Sequence, residues 1–260
     1  MGKTLTGFLG IQSRKIQTFE SSLQHRGSRF LSNQRLKKSP DTSSEIGFDS
    51  LKAMLPIDAF IIEVGLFTGG DTEKFVLCFP NAEIHGFEAD LQNFSKAYER
   101  LRHYPNVQIT CAAISSGFGV SSFFSSHGDS RGAGSILPPS THLEKWPKVT
   151  FDLEGQQLVP TIPLTSYLTA LNFARTAIDL LWIDVQGAEL LVLEGMGDYL
   201  EKCRYIYLEV SSVALYEGGT THQDIQFFLT NRGFVERKKF LGTEPDAVGN
   251  IMYERMEGHS

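Results

Sequence analysis

The residues best suited to chemistry gather in one stretch, "AFIIEVGLFTGGDTEKF", residues 59–75. An apolar run ends in an acid, Glu63, and Gly65, Gly69, Gly70 and Asp71 follow before a helical pattern resumes. In an open parallel sheet the ligand crevice lies outside the carboxyl ends of the strands, and the first strand-to-helix turn is its floor. Glycine there accepts positive φ and lets backbone approach a ligand closely. A dinucleotide fingerprint would read G-x-G-x-x-G. Here the spacing is G-x-x-x-G-G, and Asp71 sits where a pyrophosphate would tolerate no competing anion. The turn therefore suits a ligand without phosphates.

Glu88 closes a second apolar run, "EIHGFEA" at 83–89, where an acid holds the two hydroxyls of a ribose. Glu63 offers a further carboxylate, to orient the turn's amides or to meet an ammonium group. A ribose, a cationic amino-acid tail and no phosphate together describe S-adenosylmethionine. The bland alternative is that Glu63 and Glu88 are strand-end acids in water. Asp184 ends "AIDLLWIDV" and is the candidate base, since a protonated hydroxyl is a poor nucleophile and a positioned base contributes about 10²- to 10⁴-fold. It is equally able to hold the cofactor's ammonium, or to cap the helix that follows. Glu209 would have to pair with Asp184 to hold a Mg²⁺ ion, with no third ligand in view. Glu189 reads as a solvated or dipole-facing acid.

These residues require an alternating framework. Strands are expected at 60–64, 83–89, 107–113, 177–185 and 205–210, with helices at 72–79, 91–101, 187–200 and 225–232 between them. Such repeats imply a parallel sheet with helices on both faces. Two closing strands, near "FVERKKF" and "NIMYER", are joined without a helix and should pair antiparallel. The interval 117–158 is rich in Ser, Gly and His and reads as a mobile substrate-side loop able to hydrogen-bond a polyol, with His127, Asp129, Arg131 and His142 available. Its histidines are expected to be exposed. In "YEGGTTHQD", His222 should stand at a helix start capped by Thr220 or Thr221.

With 260 residues and 41% hydrophobic content the chain can build one large core. Its apolar runs are interrupted by Asp58, Glu63, Asp179 and Asp184, which excludes a membrane-spanning helix. Three scattered cysteines, Cys78, Cys111 and Cys203, fit no disulfide framework, and a reducing, cytoplasmic setting is expected. The net charge of -6 conceals a basic arm: residues 1–40 carry +7, leaving -13 for the rest, which should repel nucleic acid. The arm, 1–45, resembles a transit peptide in composition, and "MGKTLT" fits a myristoylation pattern. Phe8, Ile11, Phe19 and Leu23 instead suggest an amphipathic helix that packs on the domain at 46–260 or supports a homodimer.

The segments "EVGLFTGGDT", "GFEAD", "AAIS", "VPTIPLTSYL", "LLWIDVQGAELLVLEG" and "IYLEVS", in this order, resemble the FkbM family of S-adenosylmethionine-dependent methyltransferases over roughly residues 58–255. The resemblance implies a Rossmann-like, seven-stranded, mostly parallel sheet with an antiparallel last strand, and O-methylation of a hydroxyl on a saccharide or secondary metabolite. It carries cofactor-binding roles onto Glu63, Gly65, Phe67, Thr68, Gly69, Asp71, Glu88, Ala112, Ala113 and Asp184, with Ile114 beside the adenine. Two departures stand out: Phe67 replaces an amide side chain of the usual turn, and Trp182 stands where a lysine is common.

Three functions follow as expectations. The first is an O-methyltransferase acting on a glycan or other small-molecule acceptor. The second is a nicotinamide-dependent oxidoreductase, disfavoured by the glycine spacing and by the lack of a Tyr-x-x-x-Lys pattern. The third is a non-catalytic S-adenosylmethionine-binding partner protein, hinted at by Phe67 alone.

Overall fold

A computed structural model describes residues 46–256, and the readings made for the arm at 1–45 lie outside the described residues. Helix α1 (Phe48–Met54) leads into β1 (Phe60–Val64), α2 (Gly70–Cys78), β2 (Glu83–Glu88), α3 (Leu91–Leu101) and β3 (Val107–Cys111). A second group follows: β4 (Ala113–Ile114), β5 (Gly119–Phe123), β6 (Ser126–Gly128), α4 (Thr141–Lys145), β7 (Val149–Phe151) and β8 (Gln157–Ile162). The chain then forms α5 (Leu164–Ala170), β9 (Ile178–Ile183), α6 (Glu189–Gly195), a 3₁₀ turn (Gly197–Lys202), β10 (Cys203–Ser211), α7 (His222–Thr230), β11 (Phe234–Phe240) and β12 (Val248–Arg255).

The seven-stranded sheet has the order β11-β12-β10-β9-β1-β2-β3. Strands β3, β2, β1, β9 and β10 run parallel to one another, and β12 lies antiparallel between β10 and β11. The expected sheet, with its single antiparallel strand, is what forms. The chain leaves β1 toward β2 and β3 and returns on the other side of β1 at β9. The strand order therefore reverses between β1 and β9, and a ligand crevice belongs there.

Both faces of the sheet are covered, so its central strands are apolar throughout rather than alternating. In β1 every residue is buried. Phe60, Ile62 and Val64 join the cluster built with Leu164, Leu168, Val192 and Ile225, while Ile61 joins Leu51, Phe75 and Trp182 on the opposite face. Each such side chain, fully buried, is worth about 1.5–3 kcal/mol, which makes the junction of β1 and β9 a stiff base for the loops above it.

The interval expected to be a mobile loop is instead structured. Its strands form a small sheet, β4-β8-β5, and a ribbon, β6-β7. A satellite core of Ala113, Phe123 and Val159, with Ala89 and Ile136 against it, supplies the reason. His142, expected at the surface, is 4% exposed and packs against Trp146, Phe151 and Tyr216. His127 does lie at the surface, 2.9 Å from Asp152. His222 opens α7, and Thr221 caps it in a reciprocal box with Asp224.

The three cysteines are free, and no helix among the described residues is long and apolar enough to cross a membrane.

Candidate active site

At the end of β1 the backbone turns through Gly65 at φ +87 and Gly69 at φ +75. The crowding at both comes from protein, not from an expected ligand. A Cβ on Gly65 would collide with the Asp184 main chain, and one on Gly69 would meet the Leu101 side chain at 2.7 Å. Gly65 thus lets the exits of β1 and β9 press together, with the Asp184 amide donating to the Val64 carbonyl at 2.9 Å. Gly69 seats α2 against α3. Gly70, with nothing within 4 Å of where its Cβ would be, is the glycine with open space beside it.

Above this junction lies a cavity of about 300 Å³, lined by Glu63, Gly65, Phe67, Thr68, Gly70, Asp71, Glu88, Ala112, Ala113, Ile114, Trp182 and Asp184. Of the residues singled out in the sequence for a cofactor, Gly69 alone is not in the lining. The outer wall comes from the 117–158 interval, through Phe123, Arg131, Gly132, Gly134, Ser135 and Ile136.

The reading of Glu63 and Glu88 as acids in water is overturned. Glu63 is 2% exposed and accepts a 2.7 Å hydrogen bond from the Thr72 hydroxyl. Burial pushes its carboxyl up to about 8, the Thr72 bond pulls it back in part, and repulsion from Asp71, Asp184 and Glu88 adds to the rise. Glu88, 6% exposed, accepts the amides of Asp90 and Phe67, each at 2.8 Å. Its carboxyl is also pushed up to about 8, by burial first, against those two N–H bonds. Asp71 is partly exposed and paired with Lys74. Asp71 and Asp184 line the cavity beside the two raised carboxyls, with Arg131 as the basic residue, and a cation entering there favours the ionised form of Glu63 and Glu88.

Phe67 stands at the mouth with φ +52, its amide bound to Glu88 and its ring 38% exposed. Asp184 opens onto the cavity at the end of β9. It is not a helix cap, because α6 starts at Glu189 with Ala188 before it and no side-chain cap. Its Oδ1 accepts an N–H from the Gln186 amide at 2.7 Å, and that amide also donates to Glu209 at 2.7 Å.

The Mg²⁺ reading loses its basis: Gln186 stands between the two acids, and among the described residues no group of three or more His, Cys, Asp or Glu is placed to hold a metal ion. Glu189 is not solvated. It is 4% exposed, accepts the Gly187 amide at 3.0 Å, and burial lifts its carboxyl to about 7. Sequence reasoning missed Gln186, Ser135 and Tyr216 altogether, and flagged Arg131 only as part of a polar tract.

The chain is similar to several known proteins. A family model described as the Methyltransferase FkbM domain matches residues 63–236. The chain is 32% identical over 202 residues to 2-O-methyltransferase NoeI of Sinorhizobium fredii, spanning 76% of this chain and 80% of that one. Among solved structures, a SAM dependent methyltransferase from Aquifex aeolicus aligns over 84% of this chain and 94% of its own, with 8% identity and a TM-score of 0.44. An rRNA methylase from Streptococcus thermophilus aligns over 81% and 94%, with 12% identity and a TM-score of 0.44.

Proposed function

We propose, from the premise that the chain belongs to the FkbM methyltransferase family, that it moves the methyl group of S-adenosylmethionine to a hydroxyl of a saccharide or secondary metabolite. The observation that carries this reading is the convergence of Glu63, Glu88 and Asp184 on one cavity at the reversal of strand order. S-adenosylmethionine bears a sulfonium, an ammonium and one carboxylate, a net positive charge with no phosphate. The cavity answers that balance because a cation that enters favours ionisation of Glu63 and Glu88, whereas the pyrophosphate of a nicotinamide dinucleotide would hold both protonated and face Asp71 and Asp184.

When bound, the cofactor supplies an activated methyl carbon on a neutral leaving group. The chain's own residues do the rest. Glu88, at the end of β2, is placed to accept the ribose hydroxyls, and Ala112 and Ala113 offer a flat apolar wall for the adenine. Asp71 biases the turn toward a cation, and the buried Glu63 gains its charge as that cation arrives. Asp184 would take the proton that the acceptor hydroxyl loses on methylation, the cofactor supplying the methyl carbon and keeping the electron pair on its sulfur. The wall from the 117–158 interval excludes water and presents Ser135, Arg131 and backbone to a polyhydroxylated acceptor. The 2-O-methyltransferase relative supports oxygen as the accepting atom.

The test is calorimetry with S-adenosylmethionine, S-adenosylhomocysteine and NADH, followed by a panel of free sugars and glycosides with a methyl-labelled donor. Micromolar binding of the first two and labelled product from a hydroxylated acceptor are expected. Binding of NADH alone would end the proposal.

A further inference from the structure

Gln186 has φ +54, one of three non-glycine residues with positive φ among the described residues. Such backbone is disfavoured and persists where surroundings over-determine it. The surroundings here are specific. The Gln186 amide nitrogen gives one N–H to Asp184 Oδ1 and the other to Glu209 Oε2, both at 2.7 Å. Two carboxylates dictate the orientation of the amide, because the flipped form would set its oxygen against both acids. That oxygen lies 3.3 Å from the Tyr216 hydroxyl, whose proton goes mainly to the Ala133 carbonyl at 2.6 Å.

Ala133 belongs to the stretch 131–136 that forms the outer wall of the cavity, and Ser135 Oγ of the same stretch reaches the Val185 carbonyl at 3.4 Å. Tyr216 is 1% exposed and clamped by His142 and Phe151. Gly187 makes room for it, since a Cβ there would lie 2.9 Å from the tyrosine ring.

We propose that Gln186 is a positioning residue for methyl transfer: with Tyr216 it forms a strut that aims the Asp184 carboxylate and ties it to the cavity's outer wall. Seating of the wall and aiming of the acid are then one event. The inference deepens the reading of Asp184 given above and rests on it. A neutral amide is the side chain that can do this. A lysine between Asp184 and Glu209 would neutralise the acid, and a glutamate would set a third carboxyl against these two with no N–H to give them.

The test uses the full chain with Gln186→Met and Tyr216→Phe, both close in volume to the originals. In ligand-free protein, amide hydrogen exchange over residues 131–136 should quicken at least tenfold in both variants while the β1 and β2 amides keep their protection; unchanged exchange would overturn the strut. On whichever glycoside the wild-type protein methylates, Gln186→Met should lower kcat roughly 10- to 100-fold with KM for S-adenosylmethionine within threefold. On an Asp184→Asn background the same substitution should add nothing further. Multiplying losses, or a change confined to KM, would overturn the positioning role. If the wild-type protein methylates no member of the panel, the methyl-transfer reading fails separately and the exchange result alone upholds or overturns the strut.

Discussion

The α-carbon of Gly65 lies so near the main chain of Asp184 that a Cβ on it would sit 1.7 Å from the Asp184 carbonyl oxygen. Gly65→Ala must separate the ends of β1 and β9 and also strain a backbone at φ +87. Left-handed strain costs about 1–3 kcal/mol and overpacking a similar amount. A loss of about 2–5 kcal/mol in urea unfolding is expected, with cofactor binding abolished. A loss below about 1 kcal/mol would show that the approach is loose.

Glu88→Ala should spare the sheet and remove the cofactor. A hydrogen bond to a charged group contributes about 1.5–3 kcal/mol, and a ribose offers two hydroxyls. The affinity for S-adenosylmethionine, followed by calorimetry, should fall at least ~100-fold. Retained affinity would mean that the ribose is held elsewhere.

The raised carboxyls of Glu63 and Glu88 give stability a definite dependence on pH. Between the ordinary value of 4.5 and about 8 the folded protein binds protons that the unfolded chain has released. Their contribution to the stability of the ligand-free protein should therefore fall as pH rises through that window, by at most about 1.4 kcal/mol per pH unit for each group, and level off above it, with Glu189, lifted to about 7, acting in the same direction. Glu63→Gln should remove one group's share of the slope and leave that of Glu88. His85, His142 and His222, lowered by burial, act in the opposite direction, so the deciding quantity is the difference in urea midpoint between wild type and Glu63→Gln from pH 5 to 9; a difference that stays constant across the window would contradict the burial of Glu63.

Asp184→Asn retains the shape of the side chain and loses its basicity. A positioned base contributes about 10²- to 10⁴-fold, so kcat should drop within that range while S-adenosylhomocysteine still binds within about tenfold of wild type. Undiminished turnover would leave Asp184 with a binding role alone.

What the sequence made legible has a physical pattern. Apolar runs ending in Glu63, Glu88 and Asp184 betrayed both the central strands and the site, because a strand buried on two faces has few other places for an acid than its end. Helix α3 was legible through the spacing of its apolar residues; the structure adds the Asp90 cap, which binds the amides of Gln92 and Asn93. Helix α1, seven residues with Leu51 as its one fully buried side chain, carries too short a pattern to stand out. Strand β5 is polar and half exposed, and it exists because residues far along the chain in β8 pair with it. His142 lies in a polar tract whose composition says nothing of Trp146, Phe151 and Tyr216 closing around it. The Gln186 contacts escaped for the same reason: Tyr216 is thirty positions away.

The place of β12 carries a consequence for how the chain is made. Its residues fill a slot between β10 and β11, with Ile251, Met252 and Tyr253 wholly buried. Until Val248–Arg255 has emerged from the ribosome, two strand borders stand open, ready to join a neighbouring nascent chain. A chain released after ending shortly before Val248 should clump, whereas one released after Arg255 should close on its own.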